Sequence, residues 1–186
     1  NARPRDNANI TDWMSKNFER PVNWQIVNLQ VSPEEWLDAP ILLITGSKDP
    51  QFTPADIAKL RAYINAGGMI FSTADGARSD FTEAMRKYAA AVVNGKYEMR
   101  QLPRNHAIFN GELWAEVKNP PPMLGMSNGV REIWIHSSGD MGASWQMRRY
   151  AQRDHFYIPA NLVFYATGKG TLRSKLAPLA VAAATT

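Results

Sequence analysis

The chain contains no cysteine. Disulfides, thiolate zinc sites and cysteine nucleophiles are therefore excluded by inspection, and the redox state of the compartment is left open. Long apolar runs are missing as well: no stretch approaches the roughly eighteen residues that a membrane-crossing helix needs, so no transmembrane segment is expected. Histidine is scarce, and His106, His136 and His155 have no metal-ligand spacing, so no metal is expected. No glycine-rich phosphate loop occurs, because Gly67-Gly68 stands where a helix should stop; no cofactor is expected. Charge is not concentrated either. Charged residues make up 20% and the net charge is +4, a mildly basic balance with no strong nucleic-acid signal.

What is present suffices for one domain. The 186 residues are 45% apolar, enough to build a core. Residues 1–9 are polar and expected to form a flexible lead-in, 10–170 a single α/β domain, and 171–186 an alanine-rich tail. The chain begins with Asn1, which suggests a removed leader or a piece of a longer protein.

Ile10, Trp13, Met14 and Phe18 fall at helical spacing, with Asn9 or Thr11 as the cap and Pro21 as the stop. Residues 24–29 read as a strand and 33–38 as a short helical turn. Residues 41–45 form a continuous apolar run of the kind buried on both faces of a sheet. After a polar loop, Thr53-Pro54-Ala55-Asp56 opens a helix with a cap, a proline and an acid. Ile57, Leu60, Tyr63 and Ile64 share its inner stripe, Gly67-Gly68 stops it, and residues 69–73 form a second buried strand. Strand, helix and strand at this spacing predict a right-handed βαβ unit. A further helix is expected from Ser79, with Phe81, Met85 and Tyr88 inward. Strands are expected over 97–102 and 132–137, and a last helix over 160–167. Residues 103–128, rich in proline, glycine and asparagine, read as a surface excursion.

Thr45-Gly46, then Leu60-Arg61-Ala62-Tyr63-Ile64-Asn65-Ala66-Gly67-Gly68, then a strand ending at Asp75 resemble the class I glutamine amidotransferase-like superfamily. Within it the chain is most similar to the bacterial family called domain of unknown function 4159. Leu102-Pro103-Arg104-Asn105-His106-Ala107-Ile108-Phe109 and Asp140-Met141-Gly142-Ala143-Ser144-Trp145 carry the same likeness, which runs from about residue 10 to 167. Two departures stand out. The family often has an acidic pair where this chain has only Asp75 before Gly76, and commonly a cysteine where it has Ala143 or Ser144. The resemblance implies a flavodoxin-like three-layer sandwich, a mostly parallel sheet with helices on both faces. It also implies a bacterial cell-envelope setting, since relatives often carry leaders or anchors. Family domains often begin with one more strand, which would lie upstream of Asn1 or be absent.

Open α/β sheets bind ligands at the carboxyl ends of their strands. Ser47-Lys48-Asp49, Ala74-Asp75-Gly76 and Ser137-Ser138-Gly139-Asp140 should lie there. The expected crevice is bordered by Lys48, Asp49, Asp75, His106 and Asp140, with the Trp145 loop as rim. The bland alternative is solvated turns and helix caps. His106 is either a general base or a loop lock. A Ser47–His106–Asp140 triad exists on paper, but nothing around Ser47 resembles a Gly-x-Ser-x-Gly elbow. Arginines and aromatics interleave over 145–157, either to stack on a ligand or to pack on the sheet edge. The expected role is a non-catalytic interaction or ligand-sensing domain without glutaminase activity, serving a protein partner or a polar or anionic small ligand. The alternative is a hydrolase or sugar-processing enzyme with a His/Asp crevice.

Overall fold

A computed structural model describes residues 3–23 and 28–168. In chain order these hold α1 (Asp6–Phe18), β1 (Ile41–Gly46), α2 (Pro54–Asn65), β2 (Met69–Ala74), α3 (Ser79–Val92), β3 (Arg100–Gln101), β4 (Met123–Ser127), β5 (Glu132–Ser137), α4 (Met141–Gln146) and α5 (Arg153–Thr167). Of the strand expected over 24–29, residues 24–27 lie outside the described residues, as does the tail 171–186.

β1 and β2 pair in parallel, Ile41 opposite Met69 and Gly46 opposite Ala74, with α2 as the crossover. The local chemistry explains why. Asp56 N donates to the Thr53 hydroxyl at 3.2 Å while Thr53 N donates to the Asp56 carboxylate at 2.9 Å, a reciprocal cap that starts α2 behind Pro54. The helix closes in a Schellman turn: Gly68 N bonds Tyr63 O and Gly67 N bonds Ile64 O, both at 2.9 Å, with Gly67 at φ 101°. A β-carbon on Gly68 would lie 2.3 Å from the Tyr63 ring, so the second glycine is fixed by contact.

Side chains then alternate between two cores. Ile70 and Trp134 meet Leu60, Tyr63, Phe81 and Met85 of α2 and α3. Met69, Phe71 and Ile135 meet Ile10, Met14, Trp145, Phe156 and Leu162 of α1, α4 and α5. Helices therefore cover both faces of a central sheet.

The sheet order is β1-β2-β5-β4-β3, with β1, β2 and β5 parallel and β4 antiparallel to both neighbours. The sheet is thus mixed, where a mostly parallel one was expected. The reason is a hairpin: Asn128 Oδ1 accepts from Val130 N and Arg131 N, and Gly129 sits at φ 91°, so β4 returns beside β5. The end of the supposed surface excursion is a strand.

Three boundaries also move. Residues 6–9, expected to be frayed, are the first turn of α1, because Asn9 Nδ2 donates to Trp145 O and Gln146 O at the end of α4. β3 spans two residues of the expected 97–102. α5 begins at Arg153 and runs through Pro159. A proline there has no N–H for His155 O, and Trp145 Nε1 donates to that carbonyl instead, at 2.7 Å.

Candidate functional site

Two carboxylates do meet at the carboxyl ends of the parallel strands. Asp75 follows β2, and Asp140 follows β5 and caps α4 through Ala143 N at 3.1 Å. Arg3 lies between them: Nη1 donates to Asp75 at 2.9 Å, and Nη1 and Nη2 both donate to the Asp140 carboxylate. Gly76 N gives Asp140 a further bond at 2.8 Å. Asp6 stands close by, nearly fully buried at 4% exposure. A β-carbon on Gly142 would come within 2.9 Å of Arg3 Nη1, 3.5 Å of Asp75 and 3.6 Å of Asp6, so this glycine gives the cluster its room.

The three carboxyl groups are not equivalent. Burial works against a charge on Asp140, but the bonds from Arg3, Gly76 and Ala143 outweigh it and hold its pKa below the usual value. Burial raises Asp75; the Arg3 charge opposes the rise and the Asp140 charge adds to it. Burial raises Asp6 as well, against the bond from Asn7 N. One firmly ionised carboxylate and two reluctant ones thus surround a single guanidinium. Arg3 and Asp6 were not singled out in the sequence.

The remaining expected residues are elsewhere. Asp49 accepts from the Tyr88 hydroxyl, from Gln51 N at 2.8 Å and from Lys87 Nζ at 3.2 Å, which ties its loop to α3. α3 covers the face opposite α1 and α4, so Asp49 does not share the Arg3 cluster; Lys48 beside it is exposed. Trp145 is no rim residue: it is 1% exposed, in the core against Phe71. Of the aromatics expected near it, Phe156 is buried and Tyr157 stacks with Trp13 and Trp114, the packing alternative.

His106 lies at the other end of the sheet. Its Nε2 is 3.4 Å from Glu132 Oε1, and Glu132 opens β5, roughly 17 Å along the strand from its carboxyl end. Its Nδ1 accepts from Ile108 N at 3.2 Å. Both ring nitrogens are occupied, so His106 locks its loop, and the paper triad with Ser47 and Asp140 cannot assemble. Glu132, 3% exposed, also takes two bonds from Arg100, at 3.1 and 2.6 Å. Burial penalises its charge, yet His106 and Arg100 together hold its pKa low. This second polar centre was missed.

Two other histidine pairings resemble chemistry. His136 is fully buried in β5, with Nδ1 2.8 Å from Ser72 Oγ and Nε2 2.9 Å from Thr82 Oγ1. Trp134 Nε1 donates to Ser72 Oγ at 2.9 Å. Both ring nitrogens are thus held by hydroxyls, and the neutral ring donates from one and accepts at the other. Burial, helped by the Arg86 charge, brings the His136 pKa down to about 4. Ser144 Oγ meets His155 Nδ1 at 2.6 Å, but Ser144 is 3% exposed.

Among the described residues no group of three or more His, Asp or Glu side chains is placed to hold a metal ion, and no helix is long and apolar enough to cross a membrane. With no cysteine, the thiolate chemistry of a glutaminase is not open to this chain. No curated protein matches it. The model of one family, described as a domain of unknown function (DUF4159), matches residues 1–167, and the chain belongs to that family.

Proposed function

We propose that the chain is a non-catalytic interaction or ligand-sensing domain, built on a flavodoxin-like, glutamine amidotransferase-like scaffold within a larger bacterial cell-envelope protein. The observation that carries this reading is the position of Arg3. Its guanidinium fills the gap between Asp75 and Asp140, where an open α/β sheet receives its substrate. The scaffold assignment rests on the β1–α2–β2 unit and on helices covering both faces; the envelope setting rests on the family likeness alone.

The hydrolase alternative has one observation in its favour, the Ser144–His155 pair, whose spacing suits an activated hydroxyl. Burial of Ser144 argues against it, since an acyl carbon must approach within van der Waals contact of the oxygen. A panel of p-nitrophenyl esters and glycosides tests the reading, with Ser144→Ala and Asp75→Asn variants alongside. No turnover above a heat-killed control is expected. Turnover that disappears in either variant overturns the non-catalytic reading. Fractionation of cells making the full-length protein tests the setting separately, and recovery in the cytosol would refute it.

A further inference from the structure

α2 and α3 both run from the carboxyl to the amino end of the parallel strands, so their last turns meet beside the start of β5. A groove of about 380 Å³ opens there, far from the Arg3 cluster. Its floor is apolar, with Ile64 and Ile133, and the Tyr97 ring forms part of its wall. No carboxylate lines it.

The hydrogen-bonding capacity left over in this groove leans toward donors. The carbonyls ending α3 are taken: Ala90 O by Gly95 N, Ala91 O by Asn94 N and Arg61, Val92 O by Arg61, and Val93 O by Lys96 N. Asn94 Oδ1 accepts from Arg61 Nη2 at 3.2 Å, and Asn128 Oδ1 accepts from two hairpin N–H groups at 3.0 Å. With both amide oxygens occupied, each asparagine has its Nδ2 donors to spare. Arg61 keeps its Nη1 donors, and exposed Lys96 holds its ammonium 5.3 Å from the Tyr97 ring. The helix-end dipoles, which would repel an anion, are capped by these same contacts. What remains is two positive charges and more donors than acceptors above an apolar floor, with the Asn65 amide and the Tyr97 hydroxyl offering both.

We propose that this groove binds a small oxyanion carried on a short apolar or ring-shaped body. Lys96 and the free edge of Arg61 meet the oxyanion; Tyr97, Ile64 and Ile133 meet the body. The proposal holds whether or not the domain is catalytic, because it uses none of the residues at the other end of the sheet.

Benzoate is a direct probe, with benzyl alcohol and benzylamine as the neutral and cationic controls. In a titration followed by amide NMR, benzoate should shift the resonances of residues 92–97 and 128–133 and leave those around Asp75 and Asp140 unmoved. Lys96→Gln should weaken benzoate about fivefold, the worth of one exposed charge contact. Raised salt should act in the same direction. Because Lys96 is exposed, the melting curve of the variant should match that of the parent. Benzylamine binding as tightly as benzoate, benzoate affinity unchanged in Lys96→Gln, or no shift in the groove resonances at all would each overturn the assignment.

Discussion

Acidification should unfold this domain partly through His136. The imidazole is fully buried in β5 and has a pKa of about 4, against 6.5 for the free side chain. The folded-state value is depressed, so the unfolded chain binds the extra proton first as pH falls. Stability is unaffected above about pH 6.5, drops by up to roughly 1.4 kcal/mol per pH unit below it, and levels off near pH 4. The total is about 3 kcal/mol, a large share of the roughly 5–15 kcal/mol that holds a domain together. Asp6 and Asp75, whose pKa values burial raises, act in the opposite sense. Comparison with His136→Gln, which keeps a donor and an acceptor, cancels them. Urea unfolding at pH 7, 6, 5 and 4.5 should show a steeper pH dependence for the parent than for the variant, converging as the pH falls. Should the variant not fold, the Cε1–H resonance of His136 in the parent reports the same titration. Parallel pH curves for the two proteins, or a resonance that titrates near 6.5, would refute the reasoning.

Gly67, at φ 101°, should be needed for stability and not for binding. Gly67→Val is expected to cost at least about 1 kcal/mol, or about 2–4 °C in melting temperature for a domain of this size, and an unchanged melting curve would contradict the Schellman assignment. Incubation with glutamine should release no ammonia above a heat-killed control; release abolished by one point mutation would show a nucleophile other than cysteine. Trp145→Phe orphans His155 O and should cost roughly 1–3 kcal/mol, but clearly less in a Pro159→Ala background, where residue 159 regains its N–H. Equal costs in both backgrounds would mean that the indole bond has no part in accommodating the proline.

Much of the scaffold was legible because its signals are local. The cap at Thr53, the stripe of Ile57, Leu60 and Tyr63, and the paired glycines lie within one window, and the β1–α2–β2 unit follows from them. The β4–β5 hairpin had a local signal too, Asn128-Gly129 between two apolar runs, but the preceding Pro120-Pro121-Pro122 drew the whole stretch into a loop. Pro159 hid the first half of α5 in the same way, since nothing in the sequence says that an indole stands ready for the freed carbonyl. The polar centres were hard to read for another reason. Arg3 meets Asp75 and Asp140 across 72 and 137 residues, and no periodicity carries a contact of that separation. Glu132 had a faint mark, an acid at the head of an otherwise apolar strand, whose partners Arg100 and His106 are set by the mixed sheet.

The stretch Asp140-Met141-Gly142-Ala143-Ser144-Trp145 is tied into the fold residue by residue. Asp140 caps α4 and anchors Arg3, Gly142 leaves the space that Arg3 occupies, and Trp145 holds the kink-prone turn of α5. Each of these residues has a structural partner within hydrogen-bond or van der Waals distance. Ahead of this tryptophan the chain has Ala143 and Ser144, and the one hydroxyl is buried against His155. Here the acid is spent on a guanidinium and the hydroxyl on an imidazole. At the carboxyl end these contacts join α1, α4 and the sheet, and the groove beside Lys96 and Tyr97 lies at the opposite end of the domain.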